Sequence, residues 1–140
     1  MLDPKVLAYC KDDVCDIRGF DRSELMKAEP GLFVMRAYPG PDSGNNIGTV
    51  HGGFLLGLVD IAGAGAVDTY GIETSTINVN ANFLRPAQVD DEYLEVVGKI
   101  VRRGRTISVS EVTIYRPNET VVLTANVTVA MLGTEIPDLR

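Results

Sequence analysis

The feature that most constrains the fold is an apolar stretch, residues 54–67, followed by segments in which apolar and polar residues alternate. Apart from Asp60, the stretch carries only hydrophobic or small side chains. It predicts a helix over residues 52–70 with Gly71 as its C-terminal cap. A helix that is apolar on nearly every side must be enclosed on most of them, so the rest of the chain has to surround it.

After Gly71 the hydrophobic period changes to two, which indicates half-buried strands. The alternation covers residues 76–83, 94–100, 107–115 and 121–131, and residues 32–38 predict a strand before the helix. In the first of the later strands it groups Thr76 with Asn78, Asn80 and Asn82, opposite Ile77, Val79, Ala81 and Phe83. Turns at residues 103–104 and 117–118 join the last three strands into an antiparallel meander. One five-stranded antiparallel sheet that curls around the helix explains this order.

Length and charge limit the class of protein. The 140 residues suffice for one domain, with the helix and sheet in 31–133 and a C-terminal tail in 134–140. Residues 1–30 are polar and predict a helical segment, with short helices over 4–11 and 23–28. The net charge of −6 argues against a protein that coats nucleic acid. Without a secretory signal, and with an apolar helix too short to cross a bilayer, we expect a cytoplasmic protein.

The residues that carry chemistry begin just before the helix, where the single histidine, His51, precedes Gly52 and Gly53. The free backbone N–H groups of a helix start, at the positive end of its dipole, suit a carbonyl oxygen that gains negative charge. A tight junction between loop and helix would equally explain the two glycines. His51 is a candidate general base, or it orients Asn45 or Asn46 through a hydrogen bond.

The carboxylate of Asp60 is costly to bury on an apolar helix unless it is paired or used in catalysis. Asp60 follows His51 by nine residues, which is about 13 Å along the helix axis, so these two side chains cannot meet within one chain. If both act on one substrate, two chains share the site, with their helices antiparallel across a twofold axis. A long edge strand also favours a homodimer, in which Asp60 is alternatively a satisfied contact residue.

Basic residues concentrate around one hairpin turn and before Pro86 of this acidic chain. They suit the phosphates of a ligand tail, or they are solvated turn charges. These residues are Arg85, Arg102, Arg103 and Arg105. Cys10 and Cys15 lack the spacing of a zinc site, so we expect no metal.

A spaced motif runs through this region in the order Asn45-x-x-Gly48-x-x-His51-Gly52-Gly53, with Asp60 after it. Together with residues 82–87 and 104–106, the motif resembles the signature of hotdog-fold acyl-CoA thioesterases of the PaaI-like type. The resemblance covers roughly residues 32–132. It implies an α+β hotdog fold, in dimers and often dimers of dimers, and hydrolysis of an acyl- or aryl-CoA to free acid and CoA without metal or organic cofactor.

The resemblance also implies roles for individual residues. The Gly52 N–H polarises the thioester carbonyl with help from Asn45, and Asp60 of the second chain is nucleophile or general base. Thr76 positions the water, and His51 orients the loop or approaches the thioester sulfur. The remaining contacts to substrate, the CoA phosphates included, fall to Asn46 (which competes with Asn45), Gly53, Arg85, Arg102, Arg103 and Arg105.

Two other functions fit the same fold. A hotdog hydratase or dehydratase usually pairs a histidine with a carboxylate at a different spacing, which this sequence does not show. A non-hydrolysing protein that binds or senses acyl-CoA would have no use for the carboxylate of Asp60. The identity of the acyl group does not follow from the sequence.

Overall fold

The computed structural model describes residues 1–135, which form two helices and a six-stranded antiparallel sheet. The elements in chain order are α1 (Pro4–Asp13), β1 (Ser23–Glu29), β2 (Leu32–Ala37), a 3-10 turn (Pro41–Ser43), α2 (Gly52–Asp68), β3 (Ile72–Phe83), β4 (Leu94–Arg102), β5 (Ile107–Tyr115) and β6 (Val121–Glu135). The strand order across the sheet is β1-β2-β4-β5-β6-β3. The predicted α+β class and the meander of β4, β5 and β6 are therefore confirmed.

The sheet curls around α2, which packs against five of the six strands. Small residues allow this close approach, because a Cβ on Gly63 would collide with Val127 of β6. A Cβ on Gly98 of β4 would collide with the backbone at Ala62 of α2. The largest fully buried side chains come from the helix and from the inner face of the sheet, and they include Phe54, Leu58, Leu94, Ile114 and Leu123.

The expected count of five strands is corrected to six, because the helix predicted over residues 23–28 is wrong. This segment is β1, which pairs antiparallel with β2 across a turn at Gly31. Gly31 has a φ of +80°, a conformation that glycine adopts without strain. Residues of β1 such as Glu24 and Lys27 favour helix locally, but pairing with the exposed edge of β2 overrides this weak preference.

The structure confirms the helix expected at the N-terminal end of the chain and changes the boundary expected at the C-terminal end. The helix predicted over residues 4–11 is confirmed as α1, whose residues are all exposed. In the expected C-terminal tail, residues 134 and 135 belong to β6, and 136–140 lie outside the described residues. Within residues 1–135, no helix is long and apolar enough to cross a membrane.

The helix α2 is not enclosed on every side. Its exposed residues include Leu56, Asp60 and Ile61, which lie on a stripe that faces away from the sheet. In the part of the chain that the structure describes, the neighbouring strand β3 is an edge strand, paired to β6 on one side only. The chain therefore leaves an apolar helix stripe and a free strand edge side by side.

Candidate active site

The site begins at the N-terminus of α2. His51 is the N-cap residue, and its Nδ1 atom accepts a hydrogen bond of 2.9 Å from the Gly53 N–H. Among the described residues, the Gly52 N–H has no hydrogen-bond acceptor. Gly52 borders the ring of Phe83, since a Cβ on this glycine would lie 3.7 Å from the ring. A free donor at the positive end of a helix dipole, beside an aromatic wall, is suited to a carbonyl oxygen.

The loop before His51 is shaped by the side chain of Asn45. Its Oδ1 accepts hydrogen bonds from the N–H groups of Ile47 (3.1 Å) and Thr49 (3.0 Å). Its Nδ2 donates to Thr49 Oγ1 at 2.8 Å. The second N–H of the Asn45 amide has no acceptor among residues 1–135, so it is available to a ligand. The Nδ2 of Asn46 instead donates to Asp13 Oδ1 at 2.6 Å.

These contacts correct one expectation about His51. The predicted hydrogen bond from its imidazole to Asn45 or Asn46 does not occur among the described residues, since Nδ1 serves as the helix cap. The physical reason is local: an acceptor at the N-cap position satisfies a helix donor two residues ahead. Loop and helix are joined through the backbone, where the His51 N–H donates to the Ser43 carbonyl at 2.8 Å.

A further set of contacts, which the sequence did not indicate, anchors this loop to the N-terminal segment. Arg22 makes two hydrogen bonds to the carboxylate of Asp42, of 2.6 and 3.0 Å. The hydrogen bond from Arg22 holds the pKa of Asp42 below its ordinary value. The fully buried Ser43 donates from Oγ to the Arg18 carbonyl at 2.6 Å. The residues are far apart in sequence, so no local pattern could have revealed this anchor.

The carboxylate of Asp60 lies in the exposed stripe of α2 and accepts a hydrogen bond of 2.6 Å from Thr76 Oγ1. Within its own chain Asp60 is therefore exposed and paired with one hydroxyl, so the carboxylate does not meet the cost of burial there. The helix is apolar around it, but the residues of the stripe that carries Asp60 are exposed to solvent. Its immediate surroundings are a hydroxyl and exposed hydrophobic side chains, among them Leu56 and Ile61.

A β-bulge places Thr76 beside Asp60. The register of β3 against β6 shifts by one residue between Thr76 and Asn78, so that Ile77 is the extra residue. Thr76 pairs with Val129 and, after the bulge, Val79 pairs with Val127; both partners are buried. The side chain of Thr76 therefore lies on the helix-facing side of β3. The prediction that Thr76 shares a face with Asn78, Asn80 and Asn82 is wrong. A one-residue insertion changes the face on which a side chain lies.

The structure does not bring Gly52 and Asp60 of one chain together. They are both on α2 and eight residues apart, which is about 12 Å along the axis. Exposed Arg85 lines a pocket of about 260 Å³ that also contains Gly52 and Phe83.

The other arginines lie at a different place. Arg103 and Arg105 line a separate pocket of about 360 Å³, where Arg103 stacks 4.0 Å above the ring of Tyr70, just after α2. Arg102 is the exposed last residue of β4. Within one chain, three of the four arginines that were considered for the CoA phosphates thus divide between two pockets, and Arg102 lines neither of them.

A second hydrogen bond between a hydroxyl and a carboxylate was missed. Thr74 Oγ1 donates to Asp68 Oδ1 at 2.8 Å. Partial burial raises the pKa of Asp68, and the hydrogen bond from Thr74 partly opposes this shift. The signal was available in the sequence, because Thr74 and Thr76 are two residues apart and share one face of a strand. No three His, Cys, Asp or Glu side chains in the described part of the chain could hold a metal ion.

Comparison with known proteins assigns the family. Residues 47–123, more than half of the chain, match the Thioesterase superfamily. The chain therefore belongs to this superfamily, and its fold is the hotdog fold of thioesterases. It is also similar to a Halobacterium salinarum protein named "Putative esterase", at 36% identity over 52% of this chain. The aligned part spans 50% of that curated relative.

Solved structures agree with this assignment. A hypothetical thioesterase protein of Streptococcus pneumoniae with coenzyme A is 28% identical, covering 86% of this chain and 96% of its own, with a TM-score of 0.82. That protein has also been solved as two variants, with one threonine or one aspartate replaced by alanine. The PaaI protein of Escherichia coli shares the fold, with 22% identity, a TM-score of 0.79, and coverage of 82% of this chain and 83% of its own.

Proposed function

We propose that this protein hydrolyses the thioester bond of an acyl- or aryl-CoA, in a site that two copies of the chain share. The observation that carries the proposal is the exposed carboxylate of Asp60, held by the hydroxyl of Thr76 on an otherwise apolar stripe. The two alanine variants of the streptococcal protein support it. The aspartate and threonine replaced there are 16 positions apart, as Asp60 and Thr76 are here.

The carbonyl half of the reaction belongs to the N-terminus of α2. The free N–H of Gly52 donates to the thioester oxygen, whose negative charge grows as the carbonyl carbon becomes tetrahedral. The remaining N–H of Asn45 is the second donor. Gly53 does not serve directly, because its N–H is bonded to His51. Phe83 and the pocket beside Gly52 then receive the part of the substrate next to the carbonyl.

The water half belongs to Asp60 and Thr76. The Thr76 hydroxyl gives its one hydrogen to Asp60, so its oxygen is free to accept a hydrogen from water. Asp60 removes the water proton as the water oxygen bonds to the carbonyl carbon. The carbon–sulfur bond then breaks, the electron pair leaves on the CoA sulfur, and the proton ends on that thiol. Direct attack by Asp60, followed by hydrolysis of the anhydride, is the alternative route.

The two halves meet when a second copy covers the exposed stripe. The free edge of β3 is twelve residues long, and antiparallel pairing with the same strand of a second copy would satisfy its backbone groups. Large hydrophobic side chains are exposed on this side, and pairing would cover them; they are Leu56, Ile61, Ile77, Phe83 and Leu84. In such a dimer, the N-terminus of one α2 lies near the middle of the other.

The same pairing explains the division of the arginines. The pocket of Arg103 and Arg105 lies beside Ile72, where β3 begins, and the pocket of Arg85 lies where β3 ends. Antiparallel pairing of two β3 strands brings the beginning of one toward the end of the other. Phosphates of one CoA could then meet arginines from both copies. A dimer of dimers and a cytoplasmic location stay predictions.

The catalytic test uses two variants of Gly52 and a panel of short, long and aromatic acyl-CoAs. Gly52→Pro removes the N–H at the first helical position, where proline fits. The preceding His51 already has the extended backbone that a proline requires (φ −63°, ψ 135°). Gly52→Ala keeps the N–H and adds a methyl group at ordinary contact distance from Phe83. We expect Gly52→Pro to lower kcat by about a hundredfold, with Gly52→Ala within a few-fold of the wild type.

Release of thiol decides among the functions. Wild-type protein that binds acyl-CoA but releases no thiol from any member of the panel would be a binding protein rather than a thioesterase. An equal loss of kcat in both Gly52 variants would show that the Gly52 N–H does not contribute to catalysis.

A mixing experiment tests whether the site is shared. Gly52→Pro and Asp60→Asn chains are each inactive alone, and they are unfolded and refolded together. A mixed dimer has one site with both native groups, so we expect roughly a quarter of the wild-type activity from statistical mixing. If both groups act within one chain, the mixture stays as inactive as its components.

A further inference from the structure

The pairing of β3 with β6 is irregular on both sides of one short segment. Between Thr76 and Asn78 the extra residue lies on β3, and between Ile72 and Thr74 the extra residues lie on β6. The three residues between these shifts, 74–76, keep regular pairing with residues 129–131. Because β3 is an edge strand, this segment has only one neighbouring strand within residues 1–135.

Two side-chain hydrogen bonds join this segment to α2. Thr76 donates to Asp60 at 2.6 Å, and Thr74 donates to Asp68 at 2.8 Å. The residues of each pair face one another across the gap between strand and helix. Bulges bend and twist a strand, so the position of Thr76 is not fixed by the ladder of backbone hydrogen bonds alone.

The contact at Asp68 differs from the one at Asp60 in its surroundings. Asp60 is exposed, whereas Asp68 is half-buried at the last residue of α2. A partly buried carboxylate that loses its hydrogen bond is left unsatisfied, which makes the contact to Thr74 a stronger constraint than an exposed one. The mechanism proposed above makes no use of Asp68.

We infer that Asp68 and Thr74 are positioning residues for the proposed thioesterase reaction. Their hydrogen bond fixes the strand segment 74–76 against α2, so that the Thr76 hydroxyl stays within reach of Asp60. The inference rests on the proposed function, because Asp60 and Thr76 are the groups that touch the reacting water. Neither Asp68 nor Thr74 takes part in the steps proposed above.

The test removes each partner and then both. Thr74→Val keeps the shape and removes the hydroxyl, and Asp68→Ala removes the acceptor. We expect each to lower kcat about tenfold with KM unchanged, because the Thr76–Asp60 geometry changes and substrate binding does not. The double variant is expected to lose no more than either single variant, since both remove the same hydrogen bond.

Two further variants separate positioning from general damage. Thr74→Ser restores the hydroxyl and is expected to return kcat to within about twofold of the wild type. Ser75→Ala removes a hydroxyl from the opposite face of the same segment and is expected to leave kcat unchanged. Wild-type kcat in Thr74→Val, or a double variant whose loss equals the product of the single losses, would overturn the inference.

A structural readout keeps this inference distinct from the proposed function. In a crystal structure of Thr74→Val, we expect the distance from Thr76 Oγ1 to Asp60 Oδ1 to exceed hydrogen-bond range, about 3.5 Å. Thr74→Ser should keep the 2.6 Å contact. A wild-type protein that cleaves no thioester contradicts the proposed function, but the distance still decides whether Thr74 positions Thr76. An unchanged 2.6 Å contact in Thr74→Val contradicts the positioning role itself.

Discussion

The two halves of the candidate site are built differently. The loop and helix start around Gly52 are fixed by the contacts of their own chain, which include the His51 cap, the amide of Asn45 and the ion pair of Arg22 with Asp42. The stripe around Asp60 is exposed, and a single hydroxyl holds its carboxylate.

The difference teaches which half depends on a partner. The carbonyl half is preorganised in the single chain. The Gly52 N–H is already held in place, so binding of substrate requires little further loss of conformational entropy there. In the proposed mechanism the water half is incomplete in a single chain, because exposed hydrophobic side chains surround a carboxylate that acts best when shielded from bulk water. Dimer formation would therefore shield Asp60 from bulk water and leave the geometry around Gly52 unchanged.

The largest effect should come from the reacting carboxylate. Asp60→Asn keeps the size of the side chain and removes the base, so we expect turnover to fall about a thousandfold. Thr76→Val keeps the base but loses the hydrogen bond to Asp60 and the alignment of the water, so its turnover should fall by about ten- to a hundredfold. Thiol release and thermal unfolding of each variant check this, with Asp90→Asn as a control of equal charge change at another exposed aspartate. Turnover near the wild type in Asp60→Asn would remove Asp60 from the site.

The next largest loss of turnover should come from a charged residue on β3 that prevents a second chain from pairing there. Ile77 on edge strand β3 and Leu25 on edge strand β1 are matched, with exposures of 55% and 56%. We expect Ile77→Arg to halve the sedimentation mass and to lower turnover on the order of a hundredfold, because the site loses its second chain. Leu25→Arg should stay dimeric and active. A monomeric Ile77→Arg variant with full activity would show that one chain suffices.

The same contrast explains what the sequence could predict. The long apolar helix, the meander and the Gly52 helix start follow from local patterns, and the structure confirms the α+β fold that they predict. Three features depend on contacts with a neighbouring element and were missed. They are the strand β1, the bulge at Ile77 that turns Thr76 toward the helix, and the hydrogen bond of Thr74 with Asp68. A bulge is set by the neighbouring strand, so alternation along one strand cannot reveal it.

A smaller effect tests whether His51 acts only as a cap. His51→Ala leaves the Gly53 N–H without its acceptor, and we expect it to lower the free energy of unfolding by about 1 kcal/mol. His51→Asn supplies another good N-cap oxygen and should restore this stability. Chemical denaturation measures both variants, and thiol release is followed in parallel. A stable His51→Asn protein with strongly reduced turnover would show that the imidazole also has a chemical role.

The smallest effect concerns pH and the carboxylate at the far end of α2. Burial raises the folded-state pKa of Asp68 above its ordinary value of 3.8, so the folded chain holds this proton more tightly than the unfolded chain. Its ionisation therefore lowers stability as pH rises from about 3.8 through the raised pKa, and the penalty is complete above that pKa. The negative end of the helix dipole acts in the same direction. Asp68→Asn still accepts from Thr74 but cannot ionise, so its Tm relative to the wild type should rise across this pH window and then level off. A difference in Tm that falls with pH would mean that the ionised carboxylate stabilises this end of the helix.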